Sequence, residues 1–374
     1  MNSLSCITSI AAACWRRPGR APGLLLALAV TVAGPARADA SPTTALLTFS
    51  SFTNFTRTTE NGATVLLSPE LDAGLAWDEL IVSWNATTNL TLVVEARGFT
   101  ASGPIRWFTL GRWSGGPSQG DRTSVNRQRD DTARVDTDTL IVTKPSSRAQ
   151  VRVTLRGPES GLKFLALSLA DAHTRREPKP PHKSAWGQIA EVPVRSQADY
   201  PEGVTKWCSP TSTSMLLAYW AGQLQQSTLD LDVPTTAAGV FDQAWHGTGN
   251  WPFNMAFAGA QPGIRACVAR LEDVADLEAW TLRGIPVAVS VSYAMLKGAP
   301  QAVPDDGHLV VVRGFTAGGD VAVNDPGVRR ERGQRVFPRA DFARAWLYSQ
   351  RTAYLVWPET RPVPWPVGLR SRDE

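Results

Sequence analysis

Cysteine is scarce in this 374-residue chain. Of four cysteines, Cys6 and Cys14 fall among the first forty residues, so beyond those forty only Cys208 and Cys267 remain. Two thiols exclude a disulfide-stapled scaffold and leave either a single bridge or one reactive and one buried thiol. A Gly-Lys dipeptide is missing altogether, which removes the phosphate-cradling loop of the P-loop ATPases. Surplus charge is missing too. The first forty residues hold four arginines and one aspartate, so the rest carries 34 basic against 33 acidic residues, a net charge of +1. Nucleic acid is therefore not an implied partner. Internal repeats and low-complexity tracts are absent, and no later apolar run reaches membrane-spanning length.

Those first forty residues have an order of their own. Arg16, Arg17 and Arg20 precede the apolar "LLLALAVTVA", and "ADASP" offers an A-x-A cleavage site after Ala40. This predicts a secretory signal peptide over 1–40, by the ordinary route rather than the twin-arginine one, and hence a periplasmic or extracellular protein with no membrane span once it is removed.

Two textures follow. From 45 to 171 short runs such as "DELIVSWNA", "NLTLVVEARGF", "DTDTLIVTK", "AQVRVTLRG" and "LKFLALSLAD" alternate apolar and polar residues between turn formers. That pattern predicts an all-β N-terminal sandwich. Trp77, Trp84, Trp107 and Trp113 read as its core rather than as sugar platforms; a cell-surface glycan ligand for this half is analogy only. The polar, proline-rich 172–184 reads as a linker crossing few contacts. Over 185–358 a helix from about Pro210 precedes a loop "HGTGNWPFN", a strand "GIRACVARL", a helix "VADLEAWTLRG" and the strands "IPVAVSVSY", "HLVVVRGF" and "VAVNDP". The helix "ADFARAWLY" and the strand "RTAYLVWP" close an α+β domain, and 359–374 is left as a tail.

The chemistry gathers at "KWCSPTSTSMLLAYW". Ser209 suits an N-cap and Pro210 the first helical position, which puts Cys208 at the positive end of a helix, where thiolate is favoured. A nucleophilic thiol needs a base. His173 and His182 lie in or beside the linker, whereas His308 opens a valine-rich strand able to hold it. The "TAGG" turn brings Asp325 of "VNDP" to the same end of a hairpin, as orienter of the imidazole, with Asn324 as the alternative. His246 could serve as base, but nothing beside it is fixed to orient it.

Together, "WCSPTS", "GHLVVVRGF" and "VNDP" resemble the bacterial cysteine peptidases related to the double-glycine leader peptidases that mature bacteriocins, a papain-like clan. The resemblance covers about Val192 to Pro358. It implies a papain-like cysteine peptidase domain with Cys208 as nucleophile, His308 as base, Asp325 as orienter and Gln197, eleven residues before the cysteine, as oxyanion donor. Ser209 stands where many members carry glycine. The chain has neither exporter nor ATPase, so the bacteriocin-leader substrate is not inherited.

The loop bearing Asn250, Trp251 and Asn254 is expected to wall a substrate groove, and Cys267 to lie in the core. A zinc site from Cys208, Cys267, His246 and His308 lacks short ligand spacing, so no metal and no cofactor is implied. The expected activity is cleavage of a peptide or protein substrate through an acyl-enzyme. Amide transfer or deamidation on the same residues is the alternative, and a non-catalytic surface-binding protein is a third reading.

Overall fold

The alternation in "AQVRVTLRG" and that in "DTDTLIVTK" belong to one bent strand. The structure, a computed structural model, describes residues 42–116, 122–304, 306–364 and 370–371. The leader expected over 1–40 and, in the 359–374 tail, residues 365–369 and 372–374 lie outside the described residues.

Ten strands fill the N-terminal part: β1 (Thr44–Phe49), β2 (Thr56–Glu60), β3 (Ala63–Leu67), β4 (Leu71–Ala86), β5 (Thr91–Thr100), β6 (Gly103–Pro104), β7 (Phe108–Ser114), β8 (Ala133–Asp136), β9 (Thr139–Arg156) and β10 (Leu162–Ala170). They form one hydrogen-bonded network, ordered β1-β10-β4-β9-β3-β2, with β5 and β8 also joined to β9. Pro145 and the serines after it read as a break. Instead, β9 continues through them, because its register against β4 is irregular there and Pro145 needs no ladder partner. Trp77, Trp84 and Trp113 are buried. Trp107, expected in the core, is half-buried under the guanidiniums of Arg97 and Arg152, 4.4 and 4.7 Å from its ring.

The C-terminal part runs α1 (Cys208–Leu224), α2 (Val233–Val240), α3 (Trp251–Gly259), β11 (Ile264–Arg270), α4 (Val274–Leu282), β12 (Val287–Ser292), α5 (Tyr293–Leu296), β13 (Gly307–Phe315), β14 (Val321–Asn324), β15 (Gln334–Phe337), α6 (Arg339–Leu347) and β16 (Thr352–Pro358). Six strands form an antiparallel sheet ordered β11-β16-β12-β13-β14-β15. Every residue of α1 from Ser209 to Ala221 is buried: the second half is apolar, and in the first half hydroxyls such as those of Ser209, Thr213 and Ser214 find internal partners.

Residues 172–184 differ from a free linker. Lys179 N donates to Asp273 at 2.9 Å, His182 N donates to Glu278 at 2.7 Å, and Lys179 Nζ pairs with Glu272 and Asp276 at 2.9 and 2.8 Å. The basic, proline-rich segment finds its partners in the acidic start of α4, so it is docked there from Lys179 to His182.

Candidate active site

Helix α1 begins earlier than its proline suggests. Trp207 is the N-cap, with no side-chain cap bond, and Cys208 is the first helical residue. Ser209 does not cap, because its hydroxyl meets Tyr354 Oη at 2.7 Å inside the core. Pro210 becomes the third helical residue, still within the turn whose N–H groups have no intrahelical acceptor. The half-buried Cys208 thus sits among free N–H donors at the positive helix end.

His308 is set by strand β13, between β12 and β14. A bulge at Arg313 shifts the β13–β14 register, so Val311 faces Asn324 and Asp325 follows on toward the histidine. His308 Nε2 lies 2.8 Å from Asp325 Oδ1, with the two side chains buried. The ring is hydrogen-bonded to Cys208 as well, and with Nε2 engaged this contact falls to Nδ1. Asn324 points the other way, its amide donating to Val192 O at 3.0 Å.

The electrostatics follow from these contacts. Burial alone would raise the Cys208 thiol. The bond and charge of His308 outweigh it, helped by the N–H groups of Leu309 and Ser209, and the thiol falls below its ordinary value. Burial would lower His308, but Asp325 and the Cys208 sulfur push it up to about 9. Asp325 is pulled down against burial by His308, Gly327 N and Arg335. The favoured state is therefore thiolate beside imidazolium. Cys267, buried in β11 and unbonded, is held protonated by burial.

Three further residues complete the arrangement and left no recognisable signal in the sequence. Arg335 Nη1 binds Asp325 Oδ2 at 2.9 Å, from a strand the sequence pattern does not reveal. Tyr293 stacks on His308 with ring centres 4.1 Å apart and reaches Asp325 Oδ2 at 3.4 Å. Gly327 donates its N–H to Asp325 Oδ1 at 2.9 Å and lies under the imidazole, where a Cβ would come within 2.8 Å of His308 Cε1.

Gln197 is buried behind this group. Its N–H donates to Pro326 O at 3.0 Å, next to Asp325, and its Nε2 donates to Val204 O at 2.8 Å in the turn leading to Cys208. The expected groove wall is reassigned in part. "WPFN" is the start of α3 rather than loop, with Asn250 as its N-cap and Pro252 in its first turn. Asn250 and Asn254 are fully buried, their amides bound to Asp242, Phe253 N, Thr248 O and Thr213. Trp251 does line a cleft of about 840 Å³, which also takes in Cys208, His246 and Leu309. His246 makes no contact with the Cys208 thiol comparable to that of His308. A second groove of about 910 Å³, between Gly187–Ala190 and Arg361, holds no thiol or imidazole.

Residues 189–354 match the model of the Peptidase_C39 like family, and residues 30–169 match that of the Peptidase C39 N-terminal domain. The chain is a relative of the C39 peptidases. The two matches follow one another in sequence, the first over the strand-rich N-terminal part and the second over the part that carries Cys208, His308 and Asp325. No curated protein matches. Among solved structures, a protein assigned as a C39-like peptidase from Bacillus anthracis is 17% identical, with a TM-score of 0.36 over 46% of this chain and 97% of its own. The CBM22-1 and GH10 modules of xylanase 10B from Clostridium thermocellum are 9% identical, with a TM-score of 0.15 over 40% of this chain and 30% of theirs.

Proposed function

We propose that the protein is an exported cysteine peptidase in which an α+β papain-like domain, about 185–358, follows a β-sandwich domain, about 45–171. The Cys208 thiolate attacks the substrate carbonyl carbon, and the oxyanion forms at the start of α1, where backbone N–H groups receive it and the Gln197 amide is the candidate further donor. His308 gives its Nδ1 proton to the leaving amine, and the C–N bond breaks to leave a Cys208 thioester. His308 then takes a proton from water, which attacks the thioester, releases the acid and restores the thiol. Asp325 holds the imidazole by Nε2 and stabilises its charged form.

The observation that carries this reading is the 2.8 Å contact of His308 Nε2 with Asp325, beside a thiol at the first position of a buried helix. The test is labelling by an epoxysuccinyl thiol-protease probe together with digestion of an unstructured protein. Labelling at Cys208 and cleavage, both lost in Cys208→Ala, are expected. An unlabelled protein that cleaves nothing would favour a non-catalytic binding role.

A further inference from the structure

The cleft beside Cys208 has a second wall, which comes from the other half of the chain. The β8–β9 hairpin turns through Thr137, at a left-handed φ of 53°, and brings Asp136, Thr137 and Asp138 to the cleft. Asp138 anchors the hairpin. It is buried, and its Oδ2 accepts from Trp251 N at 2.8 Å, so the turn is tied to the start of α3. Asp136 is exposed and has no ion partner among the described residues. Glu79, on the same wall, is already matched by Arg270 at 2.6 Å. Lys206 stands on the Cys208 side of the cleft and would repel a cation placed there.

The 242–250 loop supplies an aromatic face. Trp245 is 47% exposed, although a tryptophan ring is ordinarily mostly covered. Its indole rests against Gly247 and Gly249, where an added Cβ would come within 2.8 Å of the ring. The six-membered ring is thereby backed by the two glycines, while nearly half of the residue stays open to solvent. The loop is also held firmly. The buried Asp242 accepts from Ser124 N at 3.0 Å, Ala244 N at 3.1 Å and Asn250 Nδ2 at 2.9 Å, which ties it again to the N-terminal half.

An open indole and an unmatched carboxylate in one cleft recognise an organic cation, the carboxylate by charge and the ring by its quadrupole. We propose that the cleft selects peptides carrying a lysine or arginine side chain near the scissile bond, with Asp136 as its ionic partner and Trp245 as its platform. The N-terminal half then sets the specificity of the Cys208 centre. The inference rests on the peptidase reading above.

The test uses the full chain and a matched peptide series with arginine, lysine, glutamine or glutamate at each position flanking the cleaved bond. At one position kcat/KM for arginine or lysine should exceed that for glutamine by about tenfold. That ratio should fall toward one in Asp136→Asn and below one in Asp136→Lys, with unfolding midpoints confirming that both variants fold. Cleavage without a cation preference, or a ratio unchanged in Asp136→Asn, overturns the specificity proposal and leaves the peptidase reading standing. Protection of Cys208 from iodoacetamide by the arginine peptide over the glutamine one reads the cation site without turnover. Such protection with no cleavage of any peptide supports the cation site and overturns the peptidase reading.

Discussion

Asn85 completes both backbone hydrogen bonds of Ala266: Nδ2 donates to Ala266 O at 2.8 Å, and Oδ1 accepts from Ala266 N at 3.0 Å. Ala266 belongs to β11, the outer strand of the six-stranded sheet, whose outward N–H groups have no neighbouring strand among the described residues. Ser83 and Ser168 meet the next two in turn, accepting from Val268 N at 2.9 Å and from Arg270 N at 2.8 Å. Side chains from β4 and β10 thus do at residues 266, 268 and 270 what a further strand would do, and they close an edge that would otherwise invite pairing with other chains.

A chain begun at Ser184 should therefore not fold into a stable monomer, contrary to what a free linker would imply. Size-exclusion chromatography and near-UV circular dichroism should show aggregated or loosely packed material. A cooperative, monomeric product would show that the β11 edge needs no cover. In the full chain, Asn85→Ala leaves two buried backbone groups unmatched and should cost about 2–4 kcal/mol in urea unfolding. A loss under about 0.5 kcal/mol would mean that the amide bonds carry little of the stability.

The cysteine at the helix start, the strand-borne histidine and the acid at the end of the next strand were legible because each lies in a short local pattern. The rest depends on distant partners. Ser209 reads as a cap until Tyr354, 145 residues later, takes its hydroxyl. The bulge at Arg313, which sets where Asp325 falls, leaves no mark on the alternation of valines. Asn250 and Pro252 were a helix-start signal hidden by the glycines before them. The second wall of the cleft could not be read at all, since it joins Asp138 to Trp251 across 113 residues.

Gly327→Ala should reduce kcat while leaving the fold intact. Its Cβ would lie 2.8 Å from His308 Cε1 and 3.1 Å from Tyr293 Oη, so the imidazole or the Asp325 turn must shift. Small displacements of a catalytic base cost on the order of 100-fold. The check is kcat alongside the unfolding midpoint. An unchanged kcat would show that the turn yields without moving the ring.

His308→Ala and His246→Ala should separate sharply. Loss of the His308 imidazole removes the proton carrier and the charge that favours thiolate, a fall of about 10³–10⁴ in kcat. His246 lies on the cleft wall with no orienting partner among the described residues, so His246→Ala should act on KM, by less than about tenfold. The reverse outcome, with activity surviving His308→Ala and lost in His246→Ala, would move the base to the loop.

The pH dependence of Cys208 alkylation tests the ion pair itself. Burial opposes the thiolate, and the His308 imidazolium overcomes it. Iodoacetamide should therefore label Cys208 at neutral pH, with the rate rising through a midpoint below the ordinary thiol value, while the buried Cys267 stays unlabelled. Activity needs both partners charged. It should rise as Cys208 ionises and fall again as His308 loses its proton near about 9, giving a bell whose limbs belong to the coupled pair. In His308→Ala burial of the thiol is opposed by the N–H groups of Ser209 and Leu309 without the imidazolium, so the alkylation midpoint must move up and the upper limb must vanish. Mass spectrometry of the unreduced protein supplies the remaining control. A Cys208–Cys267 cross-link would remove the nucleophile, and an alkylation midpoint unmoved by His308→Ala would mean that the helix terminus alone activates the thiol.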